Sequence, residues 1–135
     1  MDWLVYFSRY AAVSLSGSPQ ELAGFYAEGF VAAGPTGAYG ALNDDKFQSW
    51  LGQVKGFNEQ NGMQSMRPVQ ILEEAAVGPH HRLVTVRWGS RFQATGAGEI
   101  EFNITYILHL KGPRIVAYIS HEDQHERMRA EGLVS

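Results

Sequence analysis

The stretch EIEFNITYILHL, residues 99–110, carries the most regular pattern in the chain and decides its fold class. Its even-numbered residues, from Ile100 to Leu110, are all apolar, whereas most of its odd-numbered residues are polar. A period of two, with many β-branched and aromatic side chains, is typical of a β-strand and not of a helix. We therefore predict a strand over 99–110.

The sequence around this stretch predicts three further strands, over 67–77, 82–92 and 114–120. Turns that contain glycine separate the strands from one another, and one of these turns covers 95–98. Because consecutive strands joined by short turns pair side by side, the second half of the chain predicts an antiparallel sheet.

The first half of the chain has the period of a helix instead. Trp3, Tyr6, Phe7 and Tyr10 follow the i, i+3, i+4, i+7 spacing of one apolar face, and Gly17 ends this first helix. A capping box with proline at the first helical position, Ser18-Pro19-Gln20-Glu21, opens a second helix. We expect this second helix to bury four residues, which are Leu22, Phe25, Tyr26 and Phe30.

Glycine and proline residues between positions 32 and 41 predict a loop after the second helix. A third helix is expected to begin near Asn43 or Asp44, either of which can cap it, and to end near Gly62. Three helices followed by four strands predict an α+β fold with the helices on one face of the sheet.

Composition excludes several classes of function. The chain has 135 residues, of which 44% are hydrophobic and 19% charged, a balance that suits one globular domain over 1–135. It contains no cysteine, which excludes disulfides, thiol catalysis and thiolate metal sites. Its net charge of -3 and its scattered basic residues make nucleic acid an unexpected partner.

The apolar N-terminus has the features of neither a signal peptide nor a membrane span. Asp2 stands where a signal peptide carries lysine or arginine, and Arg9 interrupts the apolar run. We therefore expect a cytoplasmic protein that does not bind membranes.

The order of elements resembles the nuclear transport factor 2-like superfamily. The resemblance covers nearly the whole chain and rests on three stretches: Arg9-Tyr10, the segment from Phe25-Tyr26-Ala27-Glu28 to Pro35-Thr36-Gly37, and Gly112-Pro113-Arg114-Ile115. It implies a cone-shaped α+β fold with a pocket between the helices and the sheet, and a short C-terminal helix or tail. The superfamily includes ketosteroid isomerases, polyketide cyclases and scytalone dehydratase, so the fold by itself names no activity.

Comparison with the ketosteroid isomerases implies a specific site. Tyr10 takes the position of their helix-one tyrosine, and Asn103 takes that of the acid on a late strand, so both could donate hydrogen bonds to a carbonyl. Gly34 falls where their catalytic base stands, and Ser120 falls where the polyketide cyclases place theirs; neither can accept a proton. Glu101, or else Glu122, is then the candidate base.

The implied pocket is apolar with a few polar groups, and we expect it to bind a small apolar or aromatic molecule. The residues expected to contact this ligand lie on the helices and on the pocket face of the strands: Tyr10, Tyr26, Phe30, Phe47, Trp50, Val86, Trp88, Asn103, Thr105, Tyr118, Ser120 and Glu122.

A second motif, the segment from His121 to His125, matches the H-E-x-x-H pattern of zinc proteases. Asp123 puts a charge where the buried helix of such enzymes has none, and few residues remain for a distant third ligand. We interpret 121–131 as a solvated C-terminal helix and expect neither a metal nor a cofactor.

The two faces of strand 99–110 lead to conflicting expectations. Burial favours the even-numbered face toward the helices, whereas the resemblance turns Asn103 and the other odd-numbered residues there. We follow the resemblance, which leaves an apolar stripe outside, and therefore predict a homodimer through the sheet, because such a stripe is too large to leave in water. The stripe consists of Ile100, Phe102, Ile104, Tyr106 and Leu108.

Three functions remain open on this basis. The first is a small-molecule pocket protein without a complete catalytic set. The second is an isomerase, cyclase or dehydratase that acts on a carbonyl compound, with Tyr10 and Asn103 as polarising donors. The third is an interaction module whose own side chains fill the pocket.

Overall fold

Helices pack against one face of a six-stranded sheet in the structure, a computed structural model that describes residues 1–93 and 98–130 apart from the side chain of His125. The described elements, in chain order, are α1 (Trp3–Ser16), α2 (Pro19–Ala23), β1 (Tyr26–Gly34), β2 (Gly37–Leu42), α3 (Asp45–Gln60), β3 (Met63–Val77), β4 (His81–Phe92), β5 (Ile100–His109), β6 (Arg114–Ser120) and α4 (Gln124–Ala130). The sheet order is β2-β1-β6-β5-β4-β3. All neighbours are antiparallel except β1 and β6, which run parallel. The predicted α+β fold class is therefore confirmed.

The predicted first helix is present and buries the predicted face. Asp2 caps α1 by accepting a hydrogen bond from the Val5 amide at 3.1 Å. The helix lies across β3, where the Trp3 indole donates to Glu74 at 3.0 Å. The backbone N–H of Gly17 then bonds the Val13 carbonyl, which ends the helix as the sequence predicts.

The second helix is shorter than predicted, and the predicted loop after it is wrong. The Ser18 capping box forms, but α2 ends at Ala23 and the chain continues as β1. Residues 32–41 belong to a β1–β2 hairpin whose turn, Pro35-Thr36, joins the paired Gly34 and Gly37. The sequence signal was ambiguous, because Tyr26 and Phe30 fit both a helical face and one face of a strand.

The third helix and the later strands confirm the predictions with small shifts in their ends. Asp44 caps α3 by accepting from the Phe47 amide at 3.0 Å. The strand β3 begins at Met63, four residues earlier than predicted, and three irregularities in its pairing with β4 bend it around the helices. Most of the turn predicted at 95–98 lies outside the described residues.

The orientation predicted for β5 is wrong, and this error affects the site. The even-numbered face, with Ile104, Tyr106 and Leu108, is buried in the core beneath α1. Asn103 and Thr105 lie on the opposite, outer face, each paired with an outward residue of β4. The apolar stripe assigned to a dimer is therefore the wall of the core itself, as its burial pattern alone indicated.

The C-terminal helix is not simply solvated. Met128 of α4 is buried against Phe92 and Ile100, so α4 closes one end of the space between the helices and the sheet. Among the described residues, no helix combines the length and the hydropathy that a membrane crossing requires.

Candidate functional site

A cavity of about 610 Å³ lies between the helices and the even-numbered face of the sheet. It is bounded by residues of all four helices on one side and by β1, β3, β4, β5 and β6 on the other. Its volume falls in the range of pockets that hold small organic ligands. A second, more open depression of about 420 Å³ lies at the β1–β2 hairpin, where alanine and glycine make up most of its lining.

Aromatic side chains form most of the cavity wall. They come from six elements and are Tyr10, Tyr26, Trp50, Phe57, Trp88, Phe92, Phe102, Tyr106 and Tyr118. Many of these rings touch: Tyr10 and Trp88 have centroids 5.9 Å apart, and Tyr10 and Tyr106 have centroids 6.5 Å apart. Three methionines, Met63, Met66 and Met128, complete the apolar surface. Such a wall favours flat, apolar ligands.

Two pairs of polar groups lie in this aromatic wall. The hydroxyls of Tyr10 and Tyr26 are 2.5 Å apart and share one hydrogen bond. The Trp88 indole donates to the Tyr106 hydroxyl at 3.0 Å. Whichever tyrosine of the first pair donates, one O–H hydrogen of that pair is left over, and Tyr106 also keeps its own hydrogen. The wall therefore offers hydrogen-bond donors that meet no acceptor among the described residues.

These hydroxyls stay neutral over a wide pH range. Burial raises the pKa of Tyr10 to about 12, against a smaller lowering by its hydrogen bond with Tyr26. Burial likewise raises the pKa of Tyr26 and of Tyr106 well above the ordinary value, and the neighbouring Tyr10 adds to both effects. The cavity is therefore suited to donate hydrogen bonds, not to receive protons.

The charged groups of the cavity are cationic and already engaged. Lys55 donates to the Gly17 carbonyl at the end of α1, at 3.0 Å, and Arg127 forms an ion pair with Glu122 at 3.0 Å. Among the described residues, no aspartate, glutamate or histidine lines the cavity. The described cavity lining thus contains no carboxylate or imidazole that could accept a proton beside the tyrosine hydroxyls.

The predicted Tyr10–Asn103 pair does not form. Tyr10 faces the cavity, where its partner is Tyr26, whereas Asn103 lies on the outer face of β5 opposite Arg87. Glu101 also lies on the outer face, opposite Gly89. The alignment that placed Asn103 beside Tyr10 put it on the wrong face of β5, because neighbouring residues of a strand point to opposite faces of the sheet.

The other predicted ligand contacts divide into three groups. Five of them line the cavity: Tyr10, Tyr26, Trp50, Trp88 and Tyr118. Three are core residues outside its lining: Phe30, Phe47 and Val86. The remaining four, Asn103, Thr105, Ser120 and Glu122, also lie outside the lining. The Ser120 hydroxyl donates to the Glu122 carbonyl at 2.8 Å, and Gly34 lies near Ser120 at the hairpin depression instead of beside Tyr10.

The H-E-x-x-H segment does not have the geometry of a zinc-protease helix. His121 precedes α4, which begins at Gln124, so the two histidines do not share one helical turn. The His121 ring instead bonds the Thr105 hydroxyl on the outer face, at 2.7 Å. Among the described residues, no group of metal-binding side chains is close enough to hold an ion. The expectation of no zinc remains a prediction for metal analysis after purification without chelator.

Sequence reasoning missed more than half of the cavity wall. The missed residues include Phe92, Ile100, Phe102, Ile104 and Tyr106 on the sheet, together with the three methionines. The strict apolar alternation of 100–110 would have indicated most of the sheet residues, had it been given more weight than the alignment. Met128 had no comparable signal, because the segment around it is highly charged.

Comparison with known proteins bears on the fold. No protein-family model matches the sequence, and no curated protein is similar to it. Solved structures, however, superpose over most of the chain. A domain of unknown function with a cystatin-like fold from Nostoc punctiforme has a TM-score of 0.66 at 11% identity, covering 98% of this chain and 85% of that one. An NTF-2 like protein of unknown function from Shewanella oneidensis has a TM-score of 0.63 at 11% identity, covering 87% and 93%. This chain has the nuclear transport factor 2-like fold.

Two neighbours show the range of proteins that share the nuclear transport factor 2-like fold. A protein from Catenulispora acidiphila with a ketosteroid isomerase-like fold, crystallised with trimethylamine, has a TM-score of 0.59 at 12% identity, covering 96% of this chain and 93% of that one. A putative SnoaL-like polyketide cyclase from Shewanella denitrificans has a TM-score of 0.55 at 15% identity, covering 90% of each chain. At these identities the likeness shows the fold and leaves the function to the site.

Proposed function

We propose that the cavity binds one small apolar or aromatic molecule that carries a hydrogen-bond acceptor. The observation that carries this proposal is an aromatic cavity of about 610 Å³ whose buried tyrosine hydroxyls keep unused donors. The apolar wall supplies affinity through burial of ligand surface, and the donors fix its orientation. A ligand carbonyl is the simplest acceptor that fits a pair of O–H donors.

Catalysis on a carbonyl compound is the second candidate. Tyr10 and Tyr106 could polarise a carbonyl, which supports half of such a mechanism. The other half, a general base, has no candidate in the described cavity lining, and Glu101 is on the wrong face. Binding without chemistry is therefore the reading that the geometry favours.

An interaction module with a filled pocket is the least supported of the three functions. Its own side chains would have to occupy the space between α1, α3 and the sheet. A cavity of about 610 Å³ in that place argues against it.

A homodimer through the sheet remains a proposal, now on the outer face. One register row, formed by Val31, Ala117, Ile107, Leu83 and Ala75, crosses five strands without a polar or charged residue. The described helices all pack on the other face, and Val31 is 45% exposed. An uncharged row of this kind suits a second copy related by a two-fold axis, the commonest arrangement in homodimers. Cytoplasmic localisation, without a nucleic-acid or membrane partner, likewise stays a proposal from composition.

Blocking the cavity tests the proposed function. Val54 lines the cavity from α3, whereas its neighbour Gln53 is exposed. In Val54→Trp, the larger side chain should reduce the affinity for 2-acetylnaphthalene, an aromatic ketone, at least tenfold in calorimetric titration. The matched control Gln53→Trp adds the same group outside the cavity and should bind like the unaltered chain. Equal affinity in both variants, or no binding to the unaltered chain, would contradict the proposal.

The donors are tested with a second variant. Replacing both members of a hydrogen-bonded pair by apolar groups of the same shape is close to neutral for the fold, so Tyr10→Phe/Tyr26→Phe should remain folded. It should bind 2-acetylnaphthalene about three to ten times more weakly, the worth of one hydrogen bond. Its affinity for 2-isopropylnaphthalene, which lacks the acceptor, should not change. A parallel loss for both compounds would show that the hydroxyls do not contact the ligand.

A further inference from the structure

Ser90 is a buried polar residue of the cavity wall on β4. It is 2% exposed, it lines the cavity, and its hydroxyl has no hydrogen-bond partner among the described residues. Its cross-strand neighbours on the same face are Met66 on β3 and Ile100 on β5, and neither is a hydrogen-bond partner of its hydroxyl in the structure. Other buried hydroxyls in the cavity wall, those of Tyr10 and Tyr106, do have partners.

An unpaired buried hydroxyl is unfavourable for folding. A serine hydroxyl removed from water without a new hydrogen bond destabilises the folded state, and alanine would fill the same space without that penalty. If this position required only a small side chain, alanine would make the folded state more stable than serine does. A group that the folded chain leaves unpaired beside a cavity is well placed to pair with what enters that cavity.

Ser90 is separate from the tyrosine donors. Trp88, whose indole donates to Tyr106, lies two residues earlier on the same face of β4. Two residues along a strand correspond to about 7 Å. On β5, Phe102 lies opposite Trp88 and Ile100 lies opposite Ser90, and both add apolar surface to the wall. The sheet side of the cavity thus presents the tyrosine donors and, two residues further along β4 from Trp88, the hydroxyl of Ser90.

We propose that Ser90 forms a second polar contact with the ligand, which is therefore an elongated aromatic molecule with polar groups at both ends. One end carries the acceptor that meets the tyrosine hydroxyls, and the other carries a hydroxyl or carbonyl that pairs with Ser90. This inference rests on the proposed function and adds to it the chemical class of the ligand. The methionine side chains near Ser90 are flexible enough to move aside for the polar group.

A comparison of two compounds and three proteins tests the inference. The compounds are 2-acetyl-6-hydroxynaphthalene and 2-acetyl-6-methylnaphthalene, which differ only in a hydroxyl or a methyl at the end distant from the ketone. The unaltered chain should prefer the hydroxyl compound, and Ser90→Ala should reduce that preference about three- to tenfold. The control Ser120→Ala removes a serine hydroxyl outside the cavity lining and should leave the preference unchanged.

The stability of the ligand-free proteins gives a second readout. Ser90→Ala should have the same melting temperature as the unaltered chain or a higher one, because it removes an unpaired group. Ser120→Ala should melt lower, because it breaks a hydrogen bond. A clear fall in the melting temperature of Ser90→Ala would show that its hydroxyl already has a partner, and would overturn the inference.

The possible failures are distinguishable. Binding of both compounds with the same preference in Ser90→Ala and in the unaltered chain would overturn the role of Ser90 alone and leave the proposed function intact. Binding of neither compound by the unaltered chain would overturn both.

Discussion

The two faces of β5 have different neighbours and, on this account, different tasks. On the inner face, Ile104 and Tyr106 meet α1 and the cavity, where the polar groups of the aromatic wall on the sheet side are hydroxyls and an indole. On the outer face, Thr105 joins Thr85 and His121 in a chain of hydrogen bonds of 2.8 and 2.7 Å that faces away from the helices. Residues that are adjacent in sequence therefore contribute to unrelated environments. A shift of one residue in the assignment of this strand therefore moves a predicted site residue from the cavity to the outer face.

The largest contrast is expected from the same substitution on the two faces. Ile104→Glu buries a charge without a partner in the core and should lower the free energy of unfolding by about 4 kcal/mol or more, enough to unfold many domains. Ile107→Glu, three residues along and on the outer face, should change it by about 1 kcal/mol or less within one protomer. Urea unfolding followed by circular dichroism measures both.

Ile107→Glu also tests the proposed dimer, because Ile107 lies in the middle of the apolar row of the outer face. Sedimentation velocity should show a dimer for the unaltered chain and a folded monomer for this variant. A folded Ile104→Glu beside an unfolded Ile107→Glu would reverse the assignment of the two faces. A dimer that persists in Ile107→Glu would remove the outer row from the interface.

Alkaline pH should destabilise the inner face. Burial raises the folded-state pKa of five of the six tyrosines, Tyr6, Tyr10, Tyr26, Tyr106 and Tyr118, above the unfolded value of 10.0. A tyrosine whose pKa is higher in the folded state contributes its full share to the free energy of unfolding below pH 10.0. This contribution is lost as the pH rises from 10.0 toward the folded-state pKa. For Tyr10 alone, whose pKa is about 12, the free energy of unfolding lost over this pH range is about 2–3 kcal/mol.

Urea unfolding at a series of pH values, with tyrosinate absorbance recorded in parallel, checks this expectation. The free energy of unfolding should be level near neutrality and fall above about pH 10. The variant Tyr10→Phe/Tyr26→Phe should show a shallower fall. Ionisation of most tyrosines near pH 10 without unfolding would show that the cavity wall is open to water.

Removing the hydrogen bonds of one face or of the other should have separable effects. Thr105→Val removes the outer chain of hydrogen bonds and should lower the free energy of unfolding by about 0.5–1.5 kcal/mol, with no change in affinity for 2-acetylnaphthalene. Tyr10→Phe/Tyr26→Phe should do the reverse, with weaker ligand binding and nearly unchanged stability. A loss of affinity in Thr105→Val would mean that the outer face takes part in binding.

The sequence predicted the elements whose signals are local. The apolar face of α1 and its end at Gly17, the capped start of α3, the Ser18 capping box and the alternating strand β5 all form as expected. The β1–β2 hairpin was missed because its glycines and alanines carry little strand signal, and because β1 is fixed by parallel pairing with the distant β6. Pairing between residues so far apart in sequence leaves no local pattern.

The site was predicted less well than the fold, for a specific reason. Trp88 and Tyr118 were placed correctly because they lie on strands whose inner face follows from burial. Asn103 was placed by its resemblance to the ketosteroid isomerases, counted back from the Gly112 turn, against the burial pattern of its own strand. Ser90 gave no signal at all, since one serine in an apolar strand does not reveal that its hydroxyl lacks a partner.

The methionines offer the most direct test of where the ligand lies. Met63, Met66 and Met128 line the cavity, whereas Met1 is 75% exposed and outside it, so the chain contains its own control. With methionine methyl groups labelled by carbon-13, addition of 2-acetylnaphthalene should shift the three cavity signals and produce ligand-to-methyl nuclear Overhauser effects, and the Met1 signal should stay in place. Saturable binding that leaves the three cavity methyl signals unchanged would contradict the account, because the ligand would then occupy another part of the molecule.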